Sequence, residues 1–494
     1  MIKSISLEKF KAFSSLDQLE IKPLTILCGV NSGGKSSILK SLLLLKQSYE
    51  NTSAVNEATL NGLYTTNGLM EDVLYNGKGD NFSIRNVFQV KYQGKKFVTT
   101  SKQDITTAKE LGKITGLSSQ IASWFTIDVT CSIKKANSIS TLWDRNYIDR
   151  YSVIITPLSR DGKTIPEKKF EIELTYKAKG KGKYDIKLIN FPTVSGNNCN
   201  YLLESCTCYF SGMRLTNLYY EKVNQAQDIL LNDFLTNIYA VFRIVAEQYN
   251  GLKYLGPLRE NPKRQYTITN EFFSADSTGA DTPFILARNQ SKNVIAELYP
   301  PADESNFDKK IQPLKHDLHE VVQSWMSYFE LGELNLVSQQ DSLQLRIKNN
   351  NIADVGFGIS QTLPVIVHGL SMNYEQTLIL EQPEIHLHPR MQMRMSDLLL
   401  TLSQTNHGVI VETHSDHIIN RIVRRALEAE DESVLNNIAI YFVSNSENGS
   451  KVVPITIDRV CGISECPQEF FTQFASETSF IINAGLNNMN RGNS

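Results

Sequence analysis

The chain has 494 residues, 41% of them hydrophobic and 21% charged, and a formal net charge of −2. Its length allows a large core split into about three folding units, and its ordinary composition excludes a collagenous or wholly disordered chain. The near-zero charge excludes a surface that is basic throughout, as a general polyanion binder would need, while leaving a local basic groove open.

In chain order, Ile2–Phe13 alternates imperfectly between apolar and polar residues, which predicts an edge or half-buried strand. No basic segment followed by an apolar core opens the sequence, so no signal peptide is expected. Runs such as Leu42–Leu45 are too short to cross a bilayer. A second strand should end at Cys28. Gly29-Val30-Asn31-Ser32-Gly33-Gly34-Lys35-Ser36 follows and fits G-x-x-x-x-G-K-[ST] at every fixed position, with a helix beyond it to about Tyr49. Glycines at 29, 33 and 34 let backbone N–H groups turn around phosphate oxygens, and the helix aims its positive end at them. Asn31, Ser32 and Ser37 complete the loop. Lys35 would reach the β- and γ-phosphates, and the Ser36 hydroxyl would ligate Mg²⁺. These residues predict a nucleoside triphosphate site, with ATP and Mg²⁺ as its contents.

From about Asn51 to Phe210 the pattern changes. Phe82–Tyr92, Phe125–Ile133, Tyr151–Ile155 and Phe170–Tyr176 alternate and are separated by Gly, Asn, Lys and Ser, as antiparallel strands would be. Lysines cluster at Lys134-Lys135, at Lys168-Lys169, and at Lys177, Lys179, Lys181 and Lys183. The last group reads as a solvated hairpin turn in preference to a phosphate-contacting loop. Cys206 and Cys208 form a C-x-C, but no second Cys/His pair stands at zinc spacing, so free buried thiols in a reducing cytoplasm are expected. Helical spacing then covers Asn217–Tyr249 and Phe307–Leu331, too briefly for an extended coiled coil.

In the last third, Asp354–Gln361 supplies a glycine-containing turn before an apolar run. Thr377–Glu381 reads as a buried strand ending in an acid, where a Mg²⁺ partner belongs. Gln382-Pro383-Glu384-Ile385-His386-Leu387-His388 leads to Pro389, which should start a helix to Gln404. His386 and His388 fit backbone bonding or packing better than a metal. Val409–Val411 runs into Glu412-Thr413-His414-Ser415, another strand with a polar end. Arg421, Arg424 and Arg425 share a helix face, read as solvated, with a DNA or partner contact as the alternative. Arg259, in a Gly-Pro-Leu-Arg turn, reads equally as a phosphate or interface contact and as an ordinary salt bridge. The tail Asn487–Ser494 is expected to be disordered.

Polar strand ends recurring around one glycine loop resemble the ABC-type ATPases of the SMC, RecF and OLD kind. More specifically, the chain resembles bacterial AAA-family predicted ATPases that carry Glu-Gln-Pro-Glu-Ile-His-Leu-His-Pro, many of them in anti-phage defence systems. Tyr254–Arg259, Asp354–Gln361, Glu412–Ser415 and Pro467–Phe471 share in the resemblance, which leaves roughly residues 80–210 uncovered. It implies an α/β, ABC-type P-loop head with an antiparallel β-rich inserted lobe and a helical lobe. The units would be 1–50 and 346–460 for the two parts of the ATPase core, 51–210 for the β-rich lobe, 211–345 for the helical lobe and 461–494 for an extension. Glu381 would be the Mg²⁺-side acid, Ser360 would contact the γ-phosphate of a second subunit, and His414 would be the switch histidine that senses it. A glutamine coupling nucleotide to the effector lobe is implied between the glycine loop and Ser360, without an assignable position.

One position departs from the superfamily. Gln382 stands where a catalytic glutamate is usual, and a carboxamide cannot take a proton from water. Either Glu384 serves as the base or hydrolysis is slow and an ATP-bound dimer persists; slow turnover assisted by Glu384 is the preferred reading. The implied partners are further copies of the chain, joined through the ATP sites, and a separate effector, a nuclease or toxin. Nucleic acid stays open and no membrane is implied. The alternatives are a RecF-like DNA-repair ATPase and an OLD-type nuclease. The latter needs several converging acids, whereas Glu428, Glu430, Asp431 and Glu432 read as a solvated run.

Overall fold

The computed structural model describes residues 1–494 apart from 54–55, 92–103, 137–145, 178–181, 194–197, 221–224, 269–276, 312–314, 406, 461, 466 and 468–494. Its N-terminus is a hairpin, β1 (Ile2–Phe10) turning at Lys11–Ala12 into β2 (Phe13–Glu20), with positive φ at Lys9 and Lys11. The single strand expected over Ile2–Phe13 is therefore two. β1 also lies inside a sheet, between β2 and a later strand.

β3 (Leu24–Gly29) is buried along nearly its whole length and feeds the glycine loop and α1 (Lys35–Glu50). After α2 (Met70–Val73) comes β4 (Asn81–Lys91), which buries every second residue, the pattern of a strand covered on one face. α3 (Asp104–Thr115), β5 (Trp124–Lys135), β6 (Asn146–Leu158), β7 (Phe170–Tyr176), β8 (Lys183–Pro192), β9 (Asn198–Ser211) and β10 (Arg214–Tyr219) follow. Together with β1 and β2, the strands form a nine-stranded antiparallel sheet ordered β10-β9-β8-β7-β6-β5-β4-β1-β2.

α4 (Gln225–Asn250) covers the inner face of that sheet. Tyr249 stacks on Tyr49 of α1 at 4.6 Å and its hydroxyl donates to Asn86 Oδ1 of β4 at 2.9 Å. The helix expected over Asn217–Tyr249 is shorter, because Asn217–Tyr219 still belong to β10. A bulge between Leu215 and Asn217 lets Leu215 and Leu218, three residues apart, both face the core from a strand, imitating helical spacing.

β11 (Leu252–Leu255) is followed by a lobe of β12 (Tyr266–Thr267), α5 (Thr282–Asn289), α6 (Leu318–Tyr328), β13 (Leu334–Gln339), β14 (Ser342–Ile347) and β15 (Asn350–Asn351). α6 is shorter than the predicted Phe307–Leu331. The helix starts where the Asp317 carboxylate accepts from Glu320 N. The described elements continue with α7 (Phe357–Leu370), β16 (Thr377–Glu381), α8 (Pro389–Gln404), β17 (Gly408–Glu412), α9 (Asp416–Glu428), α10 (Glu432–Asn436), β18 (Ile438–Ser446), β19 (Gly449–Asp458) and β20 (Gly462–Glu465).

A second sheet has the order β11-β16-β17-β3-β18-β19-β20. Its first five strands are parallel and its last two pairings antiparallel. Both faces of the parallel part are covered, so its strands are apolar without alternation. Leu27, Ile379 and Ile410 join the core shared with the antiparallel sheet, α1 and α4. Leu24, Ile26, Leu380 and Val411 join the core under α6 to α9. The fold is thus α/β, with an antiparallel β-rich lobe on one side of a P-loop sheet and a helical lobe on the other. No helix among the described residues is long and apolar enough to cross a membrane.

Five described cysteines are free, with Cys206 and Cys208 both buried in β9. The turn lysines Lys179 and Lys181, Gln468–Phe471 and the tail Asn487–Ser494 lie outside the described residues.

Candidate functional site

β3 ends at Gly29, which has φ +130 and is paired with Val443 of β18. A Cβ there would lie 2.2 Å from Val443 O, so both backbone conformation and space require glycine. Asn31 and Ser32 are exposed at the crest of the loop, Gly33 is buried beneath it, and Ser37 N donates to Gly34 O at 3.0 Å. Gly34 (φ 107) precedes α1 and supplies no side-chain cap, which leaves the first turn of the helix to an anion. Lys35 is folded back, its Nζ donating to Gly29 O at 3.1 Å and Val30 O at 2.8 Å. A phosphate would replace these two carbonyls. Burial lowers the pKa of Lys35, and the nearby Glu412 opposes that shift.

The late acidic strand end meets this loop. β17 lies between β16 and β3, with Glu381 beside Glu412 and Glu412 beside Leu27. Ser36 Oγ donates to Glu412 Oε1 at 2.9 Å. Glu381 Oε1 accepts from the Tyr254 hydroxyl at 2.9 Å. Glu384 Oε1 accepts from His414 N at 2.8 Å. Glu381, Glu384, His414, Lys35 and Ser36 are thus brought together, with Glu412 at the centre. Glu381 and Glu412 end adjacent strands, and like charges brought close together disfavour ionisation of either. Accordingly, burial and then the charge of Glu381 push the Glu412 carboxyl up to about 7, against the pull of Ser36 and Lys35. Burial also raises Glu381, opposed by the Tyr254 hydroxyl and Lys40, and raises Glu384, opposed mainly by the His414 N–H. Partial burial and the charge of Lys35 lower His414.

Gln382 has φ +45 and its N–H donates to Glu412 O at 2.7 Å. Arg259 fixes the same turn. It is 5% exposed, and its guanidinium donates to Glu381 O at 3.2 Å and Gln382 O at 3.5 Å. It braces the backbone from which Glu381 and Glu384 project. Burial lowers its pKa to about 10, which leaves it charged at neutral pH.

Ser360 stands apart from these groups. Its hydroxyl donates to Phe357 O at 2.8 Å and the residue is 5% exposed within the first turns of α7. His388 Nδ1 accepts from Arg390 N at 3.3 Å as the cap of α8, and the His386 ring lies 6.0 Å from that of Phe357, consistent with packing and backbone bonding. The arginine face on α9, expected to be solvated, is mostly buried. Arg421 and Arg425 are buried on Asp397 of α8, and Arg424 pairs with Glu428 at the surface.

No cluster of three or more His, Cys, Asp or Glu among the described residues could hold an ion alone. Mg²⁺ binds through one or two carboxylates together with substrate phosphates. The site fits MgATP by three features: a hydroxyl already turned to a carboxylate, a lysine with exchangeable partners, and a buried Glu412 Oε2 without a partner among the described residues. Glu412 ends an apolar strand as Glu381 does, and that is the one signal in the sequence that marks it. Tyr254, which bonds Glu381, carries no comparable signal in the sequence.

The family described as AAA ATPase domain matches residues 1–419. No curated protein matches the chain. Among solved structures it is similar to an SMC head bound to the C-winged helix domain of ScpA, at 12% identity and TM-score 0.39, covering 94% of this chain and 99% of that one. It is also similar to an SMC head domain from Thermotoga maritima, at 11% identity and TM-score 0.34, covering 92% and 99%. A third is an Smc head with an extended coiled coil bound to the C-terminal domain of ScpA, derived from Pyrococcus furiosus, at 11% identity and TM-score 0.37, covering 92% and 96%.

Proposed function

The chain belongs to the AAA ATPase domain family, and from that premise we propose that it is an ATP-gated clamp or sensor. Two copies close over two ATP molecules, and closure repositions the β-rich and helical lobes around a separate effector. The observation that carries this reading is the Ser36–Glu412 hydrogen bond, which joins the early glycine loop to the late strand ends. Lys35 and Ser36, with the acids behind them, would hold the phosphates and Mg²⁺. When bound, Mg²⁺ would offset charge building on the β- and γ-phosphate oxygens.

Two exposed apolar residues belong to this region: Phe357 (62%), whose ring faces that of His386, and Leu258 (79%), the chain neighbour of Arg259, which bonds Gln382 O. Their position supports a second copy docking over the nucleotide, with the N-terminal turn of α7 carrying Ser360 to its γ-phosphate. Gln382 cannot act as a base, so Glu384 takes the proton from water and turnover is slow. While ATP stays intact, its affinity adds to dimer stability by mass action.

The resemblance to Glu-Gln-Pro-Glu-Ile-His-Leu-His-Pro ATPases supports a place in anti-phage defence, with this chain controlling a nuclease or toxin. Co-purification with the neighbouring gene product, with and without ATP, tests that part. The clamp itself is tested by light-scattering mass. Wild-type protein should double in mass with ATP and Mg²⁺, and Lys35→Ala protein should stay monomeric. A mass independent of nucleotide overturns the reading.

A further inference from the structure

The P-loop hydroxyl has two strand-end acids within the same sheet, and the strand order separates their duties. β17, not β16, is the neighbour of β3: Thr413 N donates to Leu27 O at 3.0 Å, and Glu412 is in register with Leu27. The acid that reaches Ser36 Oγ is accordingly Glu412, at 2.9 Å. Glu381 sits one strand further from the loop, and its Oε1 is engaged by the Tyr254 hydroxyl at 2.9 Å. Glu412 is 5% exposed, and its Oε2 has no hydrogen-bond partner among the described residues. Buried carboxylate oxygens are ordinarily satisfied, and this one belongs to the group whose other oxygen already holds the Mg²⁺-side hydroxyl.

We infer that Glu412 is the acid that fixes Mg²⁺ beside Ser36, and that Tyr254 holds Glu381 in a supporting position behind it. This rests on the reading of the site as one for MgATP. A hard cation that takes a few carboxylates plus phosphate oxygens finds in Glu412 and Ser36 two oxygen groups already in contact. Tyr254 is then a positioning residue for Glu381.

The test measures binding, not turnover. A fluorescent N-methylanthraniloyl ATP is titrated with wild-type, Glu412→Gln and Glu381→Gln protein, once in MgCl2 and once in EDTA. Glu412→Gln should lose at least tenfold of the affinity gained from Mg²⁺ while its affinity in EDTA stays within about threefold of wild type, which also shows that the fold survives. Its loss should exceed that of Glu381→Gln by at least fivefold. The inference is overturned if Glu412→Gln keeps the Mg²⁺ gain, if it loses affinity equally in EDTA, or if Glu381→Gln loses as much or more. A wild-type protein that binds no labelled ATP instead refutes the MgATP reading beneath it.

Discussion

Replacing Glu384 by glutamine isolates the chemical step. Glu384 Oε1 accepts the His414 N–H at 2.8 Å, and a glutamine side-chain oxygen keeps that acceptor, so the link between the 382–388 turn and β17 survives. The change removes a basic oxygen and a negative charge that burial already disfavours, so stability should hold or rise slightly. ATP affinity should stay within a few-fold, because Lys35, Ser36 and Glu412 are untouched. Losing a positioned general base costs about 10²–10⁴ in rate, or about 3–5 kcal/mol in the barrier. The assay is single turnover, with enzyme in excess over γ-labelled ATP, so that product release does not mask the chemistry. A rate within twofold of wild type would remove Glu384 from the mechanism and leave water activation to another group.

Two further expectations concern the frame behind the site. Asp397, fully buried, accepts from Arg421 Nη2 and Arg425 Nε, each at 2.8 Å, and from the Tyr328 hydroxyl at 2.6 Å. Asp397→Ala strands two guanidiniums and should cost about 3–5 kcal/mol, read as a lower urea midpoint; a shift equivalent to under 1 kcal/mol would show that the cluster is solvated. His407 is buried beside Thr405, with burial and then the charge of Lys292 lowering its pKa to about 4. Its folded pKa lies below the unfolded ~6.5, so the neutral ring stabilises the fold at neutral pH and that stability drains as pH falls from about 6.5 towards 4. Between pH 7.5 and 5 the loss should be about 2 kcal/mol, and a His407→Gln variant should show a slope shallower by that amount. Equal slopes would refute it.

The sequence determined the local pieces. A glycine loop between an apolar strand and a helix is legible because backbone N–H geometry requires glycine at fixed spacing, and Gly29 meets that demand at φ +130. Glu381 and Glu412 could each be recognised as the polar end of a buried strand, since apolar runs covered on both faces look the same wherever they lie. Alternation likewise marked β4 to β7.

Only the tertiary structure decided which pieces touch. Spacing shows that Arg421 and Arg425 share a helix face, but not that the face lies on Asp397. A bulge made Leu215 and Leu218 look helical, because two leucines three apart satisfy either element once the register shifts. Above all, the insertion of β17 between β16 and β3 gave Ser36 to Glu412 and Glu381 to Tyr254. Strand order follows from how crossover helices pack onto a sheet, a long-range balance of burial that no stretch of neighbouring residues records.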